Sequence, residues 1–203
     1  MADPFEPLLE DAVDPDPLVQ FGRWFDDAAT VVASPEAMAV ATADGDGRPS
    51  ARMVLLKAWG VDGFVFHTNY DSRKGRELAA NPYAALLFYW EPRGRQVRIE
   101  GTVERTGDPE SDAYFATRPL GGQIGAHASH QSQPIAGRAL LDRQVGEVSA
   151  RYAGPPVPRP PWWGGFRVRP QAYEFWQNRE DRLHDRLRFT PDAGGWRITR
   201  LQP

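Results

Sequence analysis

The chain has 203 residues, a formal net charge of −3 and a pI of about 5.8, so its overall charge does not favour binding to nucleic acid or anionic lipid. Apolar residues make up 41% of the sequence, enough for a core, but no apolar run approaches the ~20 residues of a membrane helix. Cysteine is absent, which excludes disulfides, a thiolate nucleophile and a zinc–thiolate site. The acidic N-terminus is unlike a signal peptide, and we expect a cytoplasmic protein without a membrane or nucleic-acid partner.

The first half of the chain alternates short apolar runs with turn residues, a pattern typical of strands joined in hairpins. Residues 1–16 are acidic and proline-rich, which predicts a disordered or loosely docked arm. Pro17 suits the first turn of a helix that runs to about Thr30 and places Leu18, Phe21 and Trp24 on one face. The segments that follow are predicted as strands at 37–43, 50–59 and 64–68, a helix at 73–80, and a strand pair at 83–90 and 96–104.

The second half of the chain mixes helices with further strands. Its pattern predicts a helix at 109–117, a glycine-rich segment at 121–125, an amphipathic helix at 135–152, and strands at 165–177, 183–189 and 196–201. Five prolines in residues 154–161 predict a stiff spacer. The tail of about 42 residues beyond it is too short to bury its own core, so residues 17–203 are predicted to form one domain. About seven strands in hairpin order indicate a mainly β fold with peripheral helices, an antiparallel closed or split β-barrel.

Lysine is rare in this chain: of the 24 basic residues, only Lys57 and Lys74 are lysines. A chain so rich in arginine could keep lysine where a compact, flexible charge suits a ligand, although two leftover surface lysines fit the composition equally well. Arg52 and Lys57 lie on the same predicted strand. Alternate side chains of a strand share a face, so these two residues point to opposite faces. The two charges could therefore contact different anions, or they could be the solvated ends of a barrel strand.

The segment 68–75 passes from a strand through a tight loop into a helix that Ser72 can cap. Arg73 and Lys74 lie in the first turn of that helix, where cations oppose the helix dipole. A phosphate bound at the helix N-terminus would resolve this conflict, because backbone N–H groups and both cations could contact it. The pattern therefore favours Lys74 as a phosphate ligand.

Other polar residues lie in segments that otherwise indicate buried or turn-forming structure. Tyr114 and Arg118 are four residues apart and could share one phosphate from a helix face. Near the C-terminus, Arg182, His184 and Arg186 would project to one side of a strand as a dense cationic face. Further candidates are Gln96, Gln131, Ser132 and Trp176.

Three other site types are disfavoured. His127 and His130 are three residues apart but have no carboxylate cluster nearby, so no metal site is expected. The serines beside them lack the Gly-x-Ser-x-Gly pattern of a nucleophile elbow. The glycine-rich run at 121–125 is not a dinucleotide fingerprint, because no strand-to-helix unit surrounds it. Trp162 and Trp163 beside the proline-rich spacer are interpreted as packing residues.

Taken in order, these segments resemble the pyridoxine/pyridoxamine 5'-phosphate oxidase family from about residue 15 to Pro203. Each motif alone is weak, but the ordered set is specific. The matching segments are 52–57, 68–74, 95–97, 114–115, 118–119, 123–126, 129, 131–132, 163–168, 174–177, 182–186 and 200–203.

The resemblance implies an FMN-binding split β-barrel that forms a homodimer through a C-terminal dimerisation region, with FMN at the subunit interface. It implies oxidation of pyridoxamine or pyridoxine 5'-phosphate to pyridoxal 5'-phosphate, with O2 as acceptor and H2O2 as product. The FMN ligands implied by position are Arg52, Met53, Val54, Leu55, Leu56, Lys57, His67, Thr68, Arg73, Lys74, Gln96, Gln131, Ser132, Trp176 and Arg186. The substrate ligands implied are Lys57, Tyr114 and Arg118 on the phosphate, with Arg182 and His184 as catalytic residues over the pyridine ring.

Some positions depart from the family pattern. Gly122 stands where many relatives have a serine on the substrate phosphate, and His67 and His127 replace a frequent tyrosine and a frequent tryptophan. The paired-arginine and tyrosine lid of relatives is missing from the acidic arm. Two alternatives therefore stay open: a related flavin oxidase acting on another substrate, such as a phenazine precursor, and a non-catalytic binder of flavin or pyridoxal phosphate.

Overall fold

The computed structural model describes residues 6–152, 154 and 156–203. In that part of the chain there are five α-helices and nine strands. The helices are α1 (Pro17–Ala29), α2 (Arg73–Ala80), α3 (Asp108–Thr117), α4 (Leu120–Ala128) and α5 (Arg138–Arg151). The strands are β1 (Ala37–Ala43), β2 (Pro49–Leu55), β3 (Ala58–Gly60), β4 (Gly63–Asn69), β5 (Tyr83–Trp90), β6 (Arg95–Arg105), β7 (Trp163–Gln177), β8 (Asp185–Asp192) and β9 (Gly195–Arg200).

All nine strands belong to one sheet in which every pair is antiparallel, so the predicted hairpin architecture is confirmed. The main order is β2-β1-β5-β6-β7-β4-β3, and β9 joins through β8, which pairs with β7. The long strand β7 shares one edge between two partners, because its first half pairs with β4 and its last five residues pair with β8. The sheet therefore curls into the predicted split barrel.

Helix α1 fills the barrel, as its helical spacing predicts. It begins at Asp16, whose carboxylate accepts the N–H of Leu18 at 2.8 Å, and Pro17 occupies the first turn. Phe21 is fully buried and lies 4.9 Å, centroid to centroid, from the ring of Phe64. The apolar face of α1 thus packs into the main core.

A second, smaller core lies under helices α3, α4 and α5. Phe115, Ile124 and Val148, one from each helix, are buried there together with Trp163 from the start of β7. This cluster fixes the three helices against one end of the sheet. The cleft described below opens beside it.

The structure corrects three predicted elements. The strand predicted at 50–59 is interrupted after Leu55, because β2 pairs with β1 whereas β3 pairs with β4 from Ala58. The glycine-rich segment is helix α4, whose glycines keep helical geometry because Ile124 and Ala128 pack into the smaller core. Strand β8 begins only at Asp185, since the chain before it forms a tight turn.

Residues 6–16, for which the sequence predicts a disordered or loosely docked arm, pack against the rest of the chain. Leu8 and Val13 are buried and belong to the main core, and Asp14 pairs with Arg23 at 2.7 Å. These apolar and ionic contacts offset the entropy of ordering the segment. Residues 1–5 of the predicted arm, and residues 153 and 155 at the predicted spacer, lie outside the described residues. No helix among the described residues combines the length and the apolar character needed to cross a membrane.

Candidate functional site

A cleft of about 600 Å³ opens where the ends of β2 and β4 meet helices α2, α3 and α4. Both lysines of the chain line it, which agrees with the interpretation of Lys57 and Lys74 as ligand residues. The other lining residues are Met53, Val54, Leu55, His67, Thr68, Asn69, Tyr114, Thr117, Arg118, Pro119, Gly122, Gly125, Ala126, Ser129, Gln131 and Trp163.

Lys74 is buried in the first turn of α2, where its ammonium group faces the cleft. It donates to the Thr68 hydroxyl at 2.9 Å and to the Gln131 amide oxygen at 2.8 Å. Burial and the nearby Arg52 guanidinium lower the pKa of Lys74 to about 8, although Glu77 partly opposes this. An anion in the cleft would stabilise the protonated form.

The two arginines expected beside Lys74 contact a carboxylate instead of lining the cleft. Arg73 donates to Glu77, four residues later on α2, at 2.7 Å, and Arg52 lies 3.2 Å from the same carboxylate. Burial alone would raise the pKa of Glu77, but hydrogen bonds from Ser50, Thr42 and both arginines outweigh burial and lower it to about 2. The dipole conflict at this helix is therefore relieved for Arg73 by an ion pair that sequence analysis missed. The i,i+4 spacing of Arg73 and Glu77 was the available signal.

One wall of the cleft is a stack of aromatic rings around His67. The centroid of its imidazole ring lies 4.0 Å from that of the Tyr114 ring and 5.4 Å from that of the Trp163 ring, and both rings are stacked on it. Burial, and secondarily the positive charges of Arg118 and Lys57, lower the pKa of His67 to about 4. Both of its ring nitrogens are buried and have no hydrogen-bond partner among the described residues. The neutral imidazole therefore has one donor and one acceptor that are not used by the described part of the chain.

Arg118 follows α3 and lies over the same wall. Its guanidinium carbon is 4.6 Å from the centroid of the Trp163 ring, and its Nη1 atom is buried without a partner. Burial lowers its pKa below the usual range. Gly122 leaves this group room, because a Cβ there would lie 3.3 Å from the Arg118 Nη2 atom. The cation is thus held in place, and no carboxylate of the described residues pairs with it.

The C-terminal candidates lie apart from this cleft, on a second cluster. Gln96, Trp176 and Arg186 are neighbours across β6, β7 and β8. The Trp176 and His184 rings are 4.5 Å apart, and Arg186 Nε donates to Glu174 at 2.8 Å. The structure therefore divides the predicted site residues into two groups.

Several predicted residues need correction or relocation. Arg182 and His184 do not share a strand face with Arg186, because positive φ angles of 54° at Asp181 and 60° at Arg182 break the extended chain before β8. Ser132 lines a neighbouring pocket rather than the cleft. Leu56 is also absent from the cleft lining and belongs to the main core.

Some cleft residues were missed by sequence analysis. Trp163, interpreted as a packing residue, packs and also lines the cleft. Asn69 lines the cleft and pairs with Trp163 across β4 and β7, a register that the sequence alone does not reveal.

His127 Nε2 lies 2.7 Å from the carbonyl oxygen of Pro158. Within the described residues, no group of three or more His, Cys, Asp or Glu side chains could hold a metal ion.

Comparison with known families identifies this arrangement. The family model described as pyridoxamine 5'-phosphate oxidase matches residues 25–152, and that of the pyridoxine 5'-phosphate oxidase C-terminal dimerisation region matches residues 163–203. The chain belongs to the pyridoxamine 5'-phosphate oxidase family. Members of this family named pyridoxine/pyridoxamine 5'-phosphate oxidase include those of Rubrobacter xylanophilus, 59% identical over 97% of this chain and 91% of the relative, and Burkholderia vietnamiensis, 60% identical over 93% and 90%.

Solved structures place the fold in the same family. PhzG from Burkholderia lata 383, in complex with tetrahydrophenazine-1-carboxylic acid, superposes with a TM-score of 0.91 at 35% identity, covering 99% of this chain and all of PhzG. A pyridoxamine 5'-phosphate oxidase-related, FMN-binding protein from Nostoc punctiforme superposes with a TM-score of 0.73 at 15% identity, covering 92% and 98%. The second likeness concerns the fold alone.

Proposed function

We propose that this protein is an FMN-dependent oxidase that converts pyridoxamine 5'-phosphate, pyridoxine 5'-phosphate or both to pyridoxal 5'-phosphate, with O2 as acceptor and H2O2 as product. The observation that carries the proposal is the convergence of Lys57, Lys74 and Arg118 in one cleft beside an aromatic wall. Such a cleft suits ligands that combine a ring with a phosphate. The names of the relatives support the same reaction. A cytoplasmic location remains a prediction.

The polar groups of the cleft fit FMN. Lys74 and Thr68 offer an ammonium and a hydroxyl group to a phosphate, and the unpartnered nitrogens of His67 can hydrogen-bond a bound ligand. Arg52 and Arg73 stand behind them, held by Glu77. When bound, FMN supplies the hydride acceptor that O2 reoxidises. The protein then needs to bind and orient the substrate and requires no nucleophile of its own.

The substrate ligands follow from the remaining cations. Lys57, Tyr114 and Arg118 would bind the substrate phosphate, a remote handle whose binding energy orients the reacting end. Arg182 and His184 would hold the pyridine ring. The Arg179 N–H donates to His184 Nδ1 at 3.2 Å, so Nε2 is the nitrogen that carries the proton in the neutral ring. That nitrogen would donate to a ring substituent.

We further propose that each site is assembled from two subunits. Trp163 lines the cleft at the start of β7, while Trp176 lies thirteen residues later on the same strand. An extended strand rises about 3.3 Å per residue, so the two positions are up to roughly 40 Å apart along β7. Trp176 does not line the cleft, so the two groups of predicted FMN ligands lie apart within one protomer. A two-fold dimer would bring the C-terminal cluster of one subunit to the cleft of the other.

Mixing two inactive variants tests this assembly. Arg118→Ala disables the cleft and Arg182→Ala disables the C-terminal cluster. We expect each homodimer to retain FMN but to lose nearly all oxidase activity at substrate concentrations below the wild-type KM. In mixed dimers one of the two sites combines an intact cleft with an intact cluster. Isolated mixed dimers should therefore show about half of the wild-type rate, and the unseparated, randomly paired mixture about a quarter. The measurement is O2 consumption after co-expression with two different tags and isolation of doubly tagged dimers.

The matched control mixes Arg118→Ala with Lys57→Ala. Both changes lie in the cleft, so every mixed dimer has two damaged sites and no activity should return. Equal recovery in both mixtures, or none in doubly tagged Arg118→Ala/Arg182→Ala dimers, would rule out assembly from two subunits. Loss of FMN from Arg182→Ala would show that the division between cofactor and substrate residues is wrong.

A second candidate is suggested by the likeness to PhzG, whose structure holds a tetrahydrophenazine carboxylic acid. A larger substrate of this kind would use the aromatic wall, and its single carboxylate could pair with one cation such as Arg118. The presence of Lys57, Tyr114 and Arg118 in the cleft favours the phosphorylated substrate. Turnover of a dihydrophenazine acid, without turnover of either vitamer phosphate, would favour the second candidate.

A further inference from the structure

The turn that carries Arg182 and His184 adopts an unfavourable backbone conformation. Asp181 and Arg182 both have left-handed φ angles, 54° and 60°, although neither is glycine. Two consecutive non-glycine residues in this region cost free energy, and such a turn persists only where surrounding contacts hold it. The hydrogen bond that the Arg179 backbone N–H donates to the His184 side-chain Nδ1 atom is one such contact.

The next residue, Asp185, is fixed from two directions. Its Oδ2 atom accepts the backbone N–H of Leu8 at 3.1 Å, and its Oδ1 atom accepts Arg200 Nη1 at 2.7 Å. Asp185 directly follows His184 and opens β8. A displacement of its carboxylate would therefore move the turn that holds both predicted ring ligands.

Arg200 joins Asp185 to the N-terminal arm. Its Nη2 atom donates to the carbonyl oxygen of Leu8 at 2.8 Å, and its Nε and Nη2 atoms form a two-point pair with the Glu10 carboxylate at 2.8 and 2.7 Å. Hydrogen bonding to Arg200 lowers the pKa of Glu10 to about 2, so the pair stays charged at neutral pH. The arm is anchored here because Leu8 is buried in the main core.

We propose that Leu8, Glu10 and Arg200 form a brace that holds Asp185 and so positions Arg182 and His184 against the substrate ring. The arm is then a positioning element of the active site rather than a solvated tail. It contacts the turn through Asp185 and not through the substrate. This proposal rests on the proposed function, because that function places Arg182 and His184 on the substrate. Arg200, Glu10 and Asp185 are positioning residues and do not contact the substrate.

Arg200→Ala and the milder Glu10→Gln test the brace in the FMN-loaded, full-length protein. For Arg200→Ala we expect kcat/KM for pyridoxamine 5'-phosphate to fall roughly 10–100-fold, the effect of misplacing a binding group by about 1 Å, while bound FMN is unchanged. Glu10→Gln should change kcat/KM in the same direction by a few-fold. Arg200→Lys, which keeps one charged bond to Asp185, should recover part of the loss.

Limited trypsin digestion gives a readout that does not need activity, because Arg179 and Arg182 are themselves cleavage sites. Loss of the brace should speed cleavage at these two positions well below the unfolding temperature. The control is Arg197→Ala. Arg197 lies on β9, as does Arg200, and the variant removes an exposed ion pair with Asp192 that is away from the turn. It should change neither kcat/KM nor cleavage.

Two outcomes would overturn the brace. One is a kcat/KM for Arg200→Ala that matches the wild type once the folded fraction is counted. The other is cleavage at Arg179 and Arg182 that is no faster than in Arg197→Ala. A wild-type protein that does not oxidise pyridoxamine 5'-phosphate would contradict the proposed function instead, and the trypsin comparison would still report on the brace.

Discussion

Replacing Arg118 with alanine is expected to raise the KM for pyridoxamine 5'-phosphate by roughly 100-fold, with FMN retained. The guanidinium has a buried Nη1 atom without a hydrogen-bond partner among the described residues, and burial lowers its pKa, so the negative charge of a phosphate would stabilise the cation. A hydrogen bond to a charged group contributes about 1.5–3 kcal/mol, and 2.8 kcal/mol corresponds to about 100-fold in affinity. Steady-state kinetics and flavin absorbance measure both quantities.

Arg105→Ala is the matched control for this variant. Arg105 also stacks on an aromatic ring, 4.0 Å from the centroid of Tyr70, but it lines a different pocket. It should leave the KM unchanged. An unchanged KM for Arg118→Ala, or an equal rise in both variants, would show that Arg118 does not bind the substrate phosphate.

Replacing Lys74 with methionine should weaken FMN binding by roughly 100-fold, since a buried ammonium aimed at the predicted phosphate would be lost. The pH dependence is a sharper test. In the free cleft the pKa of Lys74 is about 8, and a bound phosphate would raise it. The FMN dissociation constant should therefore rise as the pH increases above 8, by up to about tenfold per pH unit, until the pKa of the bound form is reached.

Fluorescence titration of the FMN-free protein between pH 7 and 10 measures this dependence. The control is Arg76→Met, which removes an exposed cation from the same helix. Arg76 donates to the carbonyl oxygen of Asp71. This variant should bind FMN like the wild type at every pH. Wild-type affinity in Lys74→Met, or the same pH slope in that variant, would contradict the assignment of Lys74 to the phosphate.

Much of the fold could be predicted because it depends on local signals. Helix α1 combines a capping Asp16, Pro17 in its first turn and an apolar face around Phe21, and each feature indicates the same helix. The hairpins follow from apolar runs separated by turns. Helix α4 could not be predicted, because its glycines disfavour a helix and the packing of Ile124 and Ala128 that stabilises it is tertiary.

The candidate site was predictable in its cleft and less so at its C-terminal cluster. Lys57 and Lys74 stood out by composition and by a broken dipole rule, and both line the cleft. Glu77 pairs with Arg52 and Arg73. Its pair with Arg52 joins helix α2 to strand β2 and could be recognised only in the folded chain. The turn at Arg182 escaped prediction because positive φ at a non-glycine residue is imposed by tertiary contacts, among them the bond to His184.

We expect the protein to oxidise a phosphorylated vitamer in the cleft that contains Lys57 and Arg118. The most direct test of this reaction is O2 consumption by the purified, FMN-loaded protein with pyridoxamine 5'-phosphate, while formation of the aldehyde is followed by absorbance. We expect O2 uptake and pyridoxal 5'-phosphate formation in equal amounts, together with H2O2. Tightly bound FMN with no O2 uptake on either pyridoxamine or pyridoxine 5'-phosphate would contradict the claim.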